Sequence, residues 1–165
     1  MIRMLTMQDA EVYQQLRLEA LRANPEAFGS TYEREVNFSR QEVGRRIAPE
    51  AGKFTLGAFI EGRLAGIATF VRENGPKTRH KGNVYGMYVS AEYRGMGIGR
   101  QLLEKLIREA RKLSGLEQIT LTVVQNNERA KALYAAAGFT VFGTEKNALK
   151  IEGEYYHEEW MVYFL

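Results

Sequence analysis

The chain has 165 residues, 45% of them hydrophobic and 26% charged, with a net charge of +3 at neutral pH, which suits one domain over residues 1–165 built around one core. No apolar run approaches the ~18 residues of a membrane span, and Met1-Ile2-Arg3-Met4-Leu5 lacks the apolar stretch of a secretion signal, so a cytoplasmic location without a membrane partner is expected. The absence of cysteine excludes disulfides, thiolate metal sites and a cysteine nucleophile, and His80 and His157 are too far apart in sequence to suggest a metal site, so no metal is expected.

Thr6-Met7-Gln8-Asp9 has the form of a capping box. Val12, Leu16, Ala20 and Ala23 then recur at helical spacing, and Pro25 stops the helix. Ser39-Arg40-Gln41-Glu42 is a second capping box, followed by Val43 and Ile47 and ended by Pro49. Phe54–Ile60 and Leu64–Val71 read as strands joined by a tight turn at Glu61-Gly62-Arg63. Glu73-Asn74-Gly75-Pro76 opens a polar loop. That loop carries Lys77-Thr78-Arg79-His80-Lys81, the nearest thing to a basic patch; it is one short solvated run, and no nucleic-acid partner is expected.

Asn83–Val89 reads as a strand. A glycine-rich loop follows, then a strongly amphipathic helix through Leu102, Leu103, Leu106, Ile107, Ala110 and Leu113, ended by Ser114-Gly115. Gln118–Val124 is a β-branched strand. Asn127–Ala137 is a helix with Gly138 at its C-cap. Thr140–Glu145 and Tyr155–Phe164 close the chain as strands joined by a loop containing Gly153. The order β-α-α-β-β-β-α-β-α-β-β predicts a mixed sheet with helices on both faces.

The loop Arg94-Gly95-Met96-Gly97-Ile98-Gly99 runs from a strand into a helix. The first amides of a helix have no internal partner and carry the positive end of its dipole. Glycines let that backbone approach an anion closely, so the loop is a candidate phosphate site, with Arg94 and Arg100 adding charge. A P-loop is excluded because no G-x-x-x-x-G-K-[ST] string exists. The dinucleotide pattern G-x-G-x-x-G fails because Arg100 stands where its third glycine belongs. R-x-x-G-x-G and a tight turn that binds nothing are the readings left open.

Two segments resolve the choice. Val84 through Gly99, VYGMYVSAEYRGMGIG, closely resembles the strand, R/Q-x-x-G-x-G/A loop and helix of the GNAT N-acetyltransferases. Asn127 through Phe139, NERAKALYAAAGF, is similar to a second motif of that family, N-x-x-A-x-x-L-Y-x-x-x-G-F. The resemblance, with the element order, covers essentially the whole chain. It implies a mixed, mostly antiparallel sheet of about seven strands with the fourth and fifth splayed by a bulge near Val89. It also implies acetyl-CoA as co-substrate, its pantetheine arm paired with Met87 and Val89 as an added strand. The family's pattern assigns the diphosphate to the amides of Arg94, Gly95, Met96, Gly97, Ile98, Gly99 and Arg100, the cofactor arm to Asn127, the thioester oxygen to the Met87 amide, and the sulfur to Tyr134 as general acid. Asn127 also suits the N-cap of its helix, and Tyr134 also suits an aromatic packed beside Leu133.

Gly86 stands near where many family members carry a carboxylate base, so the resemblance names no base. Glu33, Glu35, Glu154 and Glu158, acting through water, and His157 are the candidates. The resemblance sets the acceptor opposite the cofactor, near Phe28, Tyr32 and Glu33 on one side and Tyr155 and His157 on the other. Aromatic surface mixed with carboxylates suits a small cationic amine or a peptide amine, unless the aromatics belong to the core. A non-catalytic acyl-CoA-binding or sensing module is the alternative function. The aromatic-rich C-terminal strands are a candidate homodimer edge.

Overall fold

The computed structural model describes residues 1–165. Seven strands form one sheet in the order β1-β2-β3-β4-β5-β7-β6. They are β1 Ile2–Met4, β2 Lys53–Ile60, β3 Arg63–Arg72, β4 Lys81–Val89, β5 Gln118–Val124, β6 Thr140–Ile151 and β7 Glu154–Phe164. Only β4 and β5 pair in parallel; the other neighbours are antiparallel. The helices are α1 Ala10–Ala23, α2 Tyr32–Glu35, α3 Arg40–Ile47, α4 Ile98–Ala110 and α5 Glu128–Ala137. None of them is long and apolar enough to cross a membrane.

Each face of the sheet carries its own core. On one, α4 buries Ile98, Leu102, Leu103, Leu106, Ile107 and Ala110 against Leu56, Phe70, Ile119 and Leu121, with Tyr134 and Phe139 from the α5 segment completing the cluster. On the other, Leu16, Ala20 and Leu21 of α1 pack with Phe28, Ile47, Ile67 and Tyr88. Both hairpins turn on a Glu-Gly pair with positive φ at each residue, Glu61-Gly62 (47°, 80°) and Glu152-Gly153 (50°, 88°). That is the turn whose twist matches a right-handed antiparallel pair.

Two expectations are corrected and one element is added. Val12 and Ala23 lie on the solvent side of α1, because its inward face runs through Ala10, Leu16, Arg17, Ala20 and Leu21. The segment after α1 contains a helical turn, α2, capped by the Thr31 hydroxyl, which accepts from the Arg34 amide at 3.2 Å. The strand placed at Thr140–Glu145 continues to Ile151, since a register shift between Glu145 and Leu149, with Asn147 at φ 53°, bends β6 without ending it.

The feature that shapes the site is in β4. Tyr88 lies opposite Ile67 and Tyr85 opposite Thr69, so Gly86 and Met87 together face Ala68. This is a bulge, with Gly86 at φ 58° in the left-handed region that glycine tolerates best. Towards β5, pairing runs only from Lys81–Gln118 to Asn83–Thr120. The Thr120 hydroxyl donates to Asn83 Oδ1 at 2.5 Å and so clasps this closed end. Beyond it β4 and β5 diverge, leaving the β5-facing edge of β4 without a backbone partner.

Candidate active site

The divergence opens a cleft of about 360 Å³ above the start of α4. Met87, Val89, Arg94, Gly95, Gly97, Ile98, Gly99, Arg100, Asn127 and Tyr134 all line it. Of the loop residues the sequence singles out, Met96 is absent from the lining, its side chain 56% exposed and turned to solvent. Asn24, Ala27, Phe28 and Leu133 are among the other residues of its walls.

Gly95 and Gly97 both take positive φ, 82° and 75°. Gly97 is the N-cap of α4 and offers no side chain to its first turn. The first hydrogen bond of the helix is Gln101 N–H to Gly97 O at 3.1 Å, and none of the amides from Gly95 to Arg100 donates within the chain. Converging, unpartnered amides at the positive end of a helix form a cradle for an anion. The arginines differ in position. Arg94 is tethered, with Nε donating to Val89 O at 3.0 Å and Nη2 to Asn24 Oδ1 at 3.3 Å. Arg100 is turned along the helix onto Glu104 at 2.7 Å.

Asn127 caps α5, its side chain accepting from the Ala130 amide at 3.1 Å. Tyr134 sits one face of α5 further in, with its ring edge-on to Phe139, and its hydroxyl makes no hydrogen bond within the chain. Burial pushes that hydroxyl up to about 12, because the phenolate would have to form in a dry site.

Tyr134 also lines the gap itself, a narrower cavity of about 90 Å³ shared with Tyr85, Gly86, Met87, Thr122, Asn127 and Glu158. Glu158, on β7 opposite Val124, is the one carboxylate there. Burial raises its pKa; a hydrogen bond from Thr122 works against this, and the charge of Glu145, directly across on β6, works with it.

The other carboxylates fall elsewhere. Glu35 is 1% exposed and accepts from Arg17 Nε at 3.0 Å and Nη2 at 2.9 Å, so it is occupied as an ion-pair partner and is no longer a candidate base. Glu33 lines a third cleft of about 670 Å³ with Arg22, Phe28, Tyr32, Leu149, Lys150 and Glu152. Phe28 forms a wall of both this cleft and the first. Glu154 is exposed at the hairpin tip. Tyr155 is 54% exposed with Lys150 Nζ 5.0 Å from its ring, and His157 Nδ1 accepts from the Asn147 amide at 2.9 Å, fixing the bend in β6. Neither Tyr155 nor His157 lines the gap or the cleft above α4. No group of three or more His, Asp or Glu side chains converges as a metal site.

Arg17, which pairs with Glu35 and stands behind the bulge at Gly86, is the residue that sequence reading passed over. The available signal was an arginine in the middle of an apolar helical face, between Leu16 and Ala20.

Comparison with known proteins agrees with this architecture. Residues 13–139 match the family model described as the acetyltransferase (GNAT) family. Over 116 residues the chain is 28% identical to the L-amino acid N-acetyltransferase AaaT of Escherichia coli (strain K12), covering 70% of this chain and 71% of that one. Over 67 residues it is 42% identical to the mycothiol acetyltransferase of Propionibacterium freudenreichii subsp. shermanii, a match of 41% of this chain that spans only 21% of that protein's length. Among solved structures, the GNAT-family acetyltransferase of Streptococcus pneumoniae superposes with a TM-score of 0.87 at 25% identity, over 100% of this chain and 99% of that one.

Proposed function

Because the chain belongs to the GNAT acetyltransferase family, we propose that it moves an acetyl group from acetyl-CoA to a primary amine by direct attack within a ternary complex. The observation that carries this reading is the pairing of two features: unpartnered amides from Gly95 to Arg100, and a strand edge left open beyond Asn83. The first suits a diphosphate and the second an amide-bearing arm that adds as a strand. A nucleotide-sized anion also matches the chain's excess of positive charge.

In this reading the loop amides bind the diphosphate, Met87 and Val89 hold the arm, and the Met87 amide donates to the thioester oxygen as it gains charge. The amine arrives through the gap and loses a proton to Glu158, directly or by way of a water. Its lone pair forms the new C–N bond, the C–S bond breaks, and the thiolate leaves beside Tyr134. With a pKa of about 12, Tyr134 stays protonated at every working pH. Full transfer of its proton to a thiolate of pKa about 8.5 would run uphill, so its role is to donate a hydrogen bond to the sulfur while charge develops there. The thiolate takes its proton from solvent afterwards.

The test is incubation of the purified chain with acetyl-CoA and a panel of amines, following free thiol. Saturable binding of acetyl-CoA with no thiol release from any amine would favour a sensing module. For Tyr134→Phe we expect turnover to fall about tenfold, the worth of one hydrogen bond to a charged group, with acetyl-CoA affinity unchanged. The wild-type profile should show no alkaline fall from Tyr134 below pH 10, and unaltered turnover in the variant removes the assignment.

Gly97→Ala tests the cradle. A side chain at φ 75° costs about 1–2 kcal/mol, and relaxing that strain moves the amides out of convergence. Acetyl-CoA affinity measured by calorimetry should weaken about tenfold, with a smaller effect on thermal stability. Equal affinity in the variant would show that the loop does not hold the diphosphate.

A further inference from the structure

Arg17 is 8% exposed and fixed on three sides. Nε and Nη2 donate to Glu35 at 3.0 and 2.9 Å, and the guanidinium carbon lies 4.7 Å from the centre of the Phe28 ring. The remaining nitrogen, Nη1, donates to nothing in the chain. It stands 3.5 Å from where a Cβ on Gly86 would sit, so it is aimed at the bulge where the gap opens. Only Ser30 Oγ and Glu159 Oε2 are buried without a hydrogen-bond partner, so Nη1, which has none either, faces open space and is free to bind. Arg46, 3.8 Å from Glu35, offsets the carboxylate a second time and leaves this corner with surplus positive charge.

Gly86 also lines the gap that holds Met87, Tyr134 and Glu158. The guanidinium lies behind Gly86, outside the lining of the gap, while Glu158 is on the lining itself. Resting on the acetyl-transfer reading, we infer that the acceptor carries a carboxylate beside its amine, as a free α-amino acid does. Arg17 Nη1 receives the carboxylate, and Glu158 faces the ammonium. The missing side chain at Gly86 is what lets the carboxylate reach Arg17. A polyamine would bring like charge to this corner, and a protein N-terminus has no carboxylate adjacent to its amine. This narrows the expected small or peptide amine to a free amino acid.

The experiment compares twenty L-amino acids with their α-carboxamides and with dipeptides, using acetyl-CoA and the wild-type chain. The carboxamide keeps the amine and makes it easier to deprotonate, so a loss cannot be blamed on protonation. For at least one amino acid, kcat/KM should exceed that of its carboxamide about 10- to 100-fold, the range for a hydrogen bond between charged groups. In the double variant Arg17→Gln, Glu35→Gln, which removes both charges together, KM for that amino acid should rise by a similar factor. KM for its carboxamide, which can accept only a weaker hydrogen bond from Arg17, should rise less, and KM for acetyl-CoA should stay put. Arg17→Lys, which keeps the charge and loses the fork, should fall between. Carboxamides or dipeptides turned over as well as the free acids overturn this inference alone. No thiol release from any amine overturns the acetyl-transfer reading and this inference with it. The comparison of acid with carboxamide needs no variant, so it stands whether or not the double variant folds.

Discussion

Turnover in Glu158→Gln is expected to fall about 10²- to 10³-fold, the usual worth of a positioned base, with acetyl-CoA affinity unchanged. The glutamine keeps the shape of the side chain and its contact with Thr122 and removes only the capacity to take a proton. The groups facing Glu158 are Glu145 from β6, the Thr122 hydroxyl from β5, and Tyr85 and Tyr134 across the cavity. Burial and the Glu145 charge raise its pKa. The acid limb of kcat/KM should therefore lie above the ordinary carboxylate range, and it should shift to lower pH in Glu145→Gln. Stability should move the other way. A carboxyl with a raised pKa in the folded state favours folding at low pH and loses that contribution as pH rises through its unfolded and then its folded value. At neutral pH the ionised Glu158 weakens the fold, so its replacement by Gln should leave the melting temperature equal or higher. A variant that loses activity while gaining stability has the signature of a strained functional group. Turnover within threefold of wild type, or an acid limb unmoved by Glu145→Gln, would sink the assignment.

How far the sequence could be read depended on whether a feature is local. The glycine loop and α4 were legible because every signal lies within a few residues: the positive-φ glycines, the helix start and the apolar stripe ending at Ala110. The capping box at Ser39 was legible for the same reason, with Glu42 accepting from the Ser39 amide at 2.7 Å and the Ser39 hydroxyl accepting from the Glu42 amide at 3.2 Å. The length of β6 was hidden because it is an edge strand, largely exposed on both faces and broken by the bend at Asn147, so it shows no alternation. Gly86 stands out in sequence for the carboxylate it lacks, although an isolated glycine in a strand is itself a bulge signal. The gap follows from that bulge and from the Thr120–Asn83 clasp, two contacts made across the sheet and invisible along the chain. Among the carboxylates, Glu35 and Glu158 looked equivalent in sequence. What separates them is the element across from each: Arg17, a cation 18 positions away, for the first, and an open cavity for the second.

That same pair sets the second large effect. Glu35→Ala should destabilise the chain by about 3–5 kcal/mol, the range for removing one partner of a buried ion pair. Arg17 would be left charged at 8% exposure with no fork to bind, and a guanidinium cannot escape by deprotonating. At this chain length the melting temperature should drop by roughly 10 °C. Glu35→Gln, which still accepts a hydrogen bond, should cost less. The double variant Arg17→Met, Glu35→Leu should recover much of the loss, because an apolar pair avoids the desolvation cost of both charges. Acid provides an independent check. Burial raises the pKa of Glu35, but its hydrogen bonds from Arg17 and the charges of Arg17 and Arg46 hold it below the usual carboxylate value. The pair's contribution is therefore present above about pH 4.3 and disappears as pH falls through the depressed folded value. Wild type should lose this increment on acidification, and Glu35→Gln should not. A melting temperature for Glu35→Ala within 2 °C of wild type would mean that Arg17 is solvated well enough to stand alone. Its orientation towards Gly86 would then rest on Phe28 and not on Glu35.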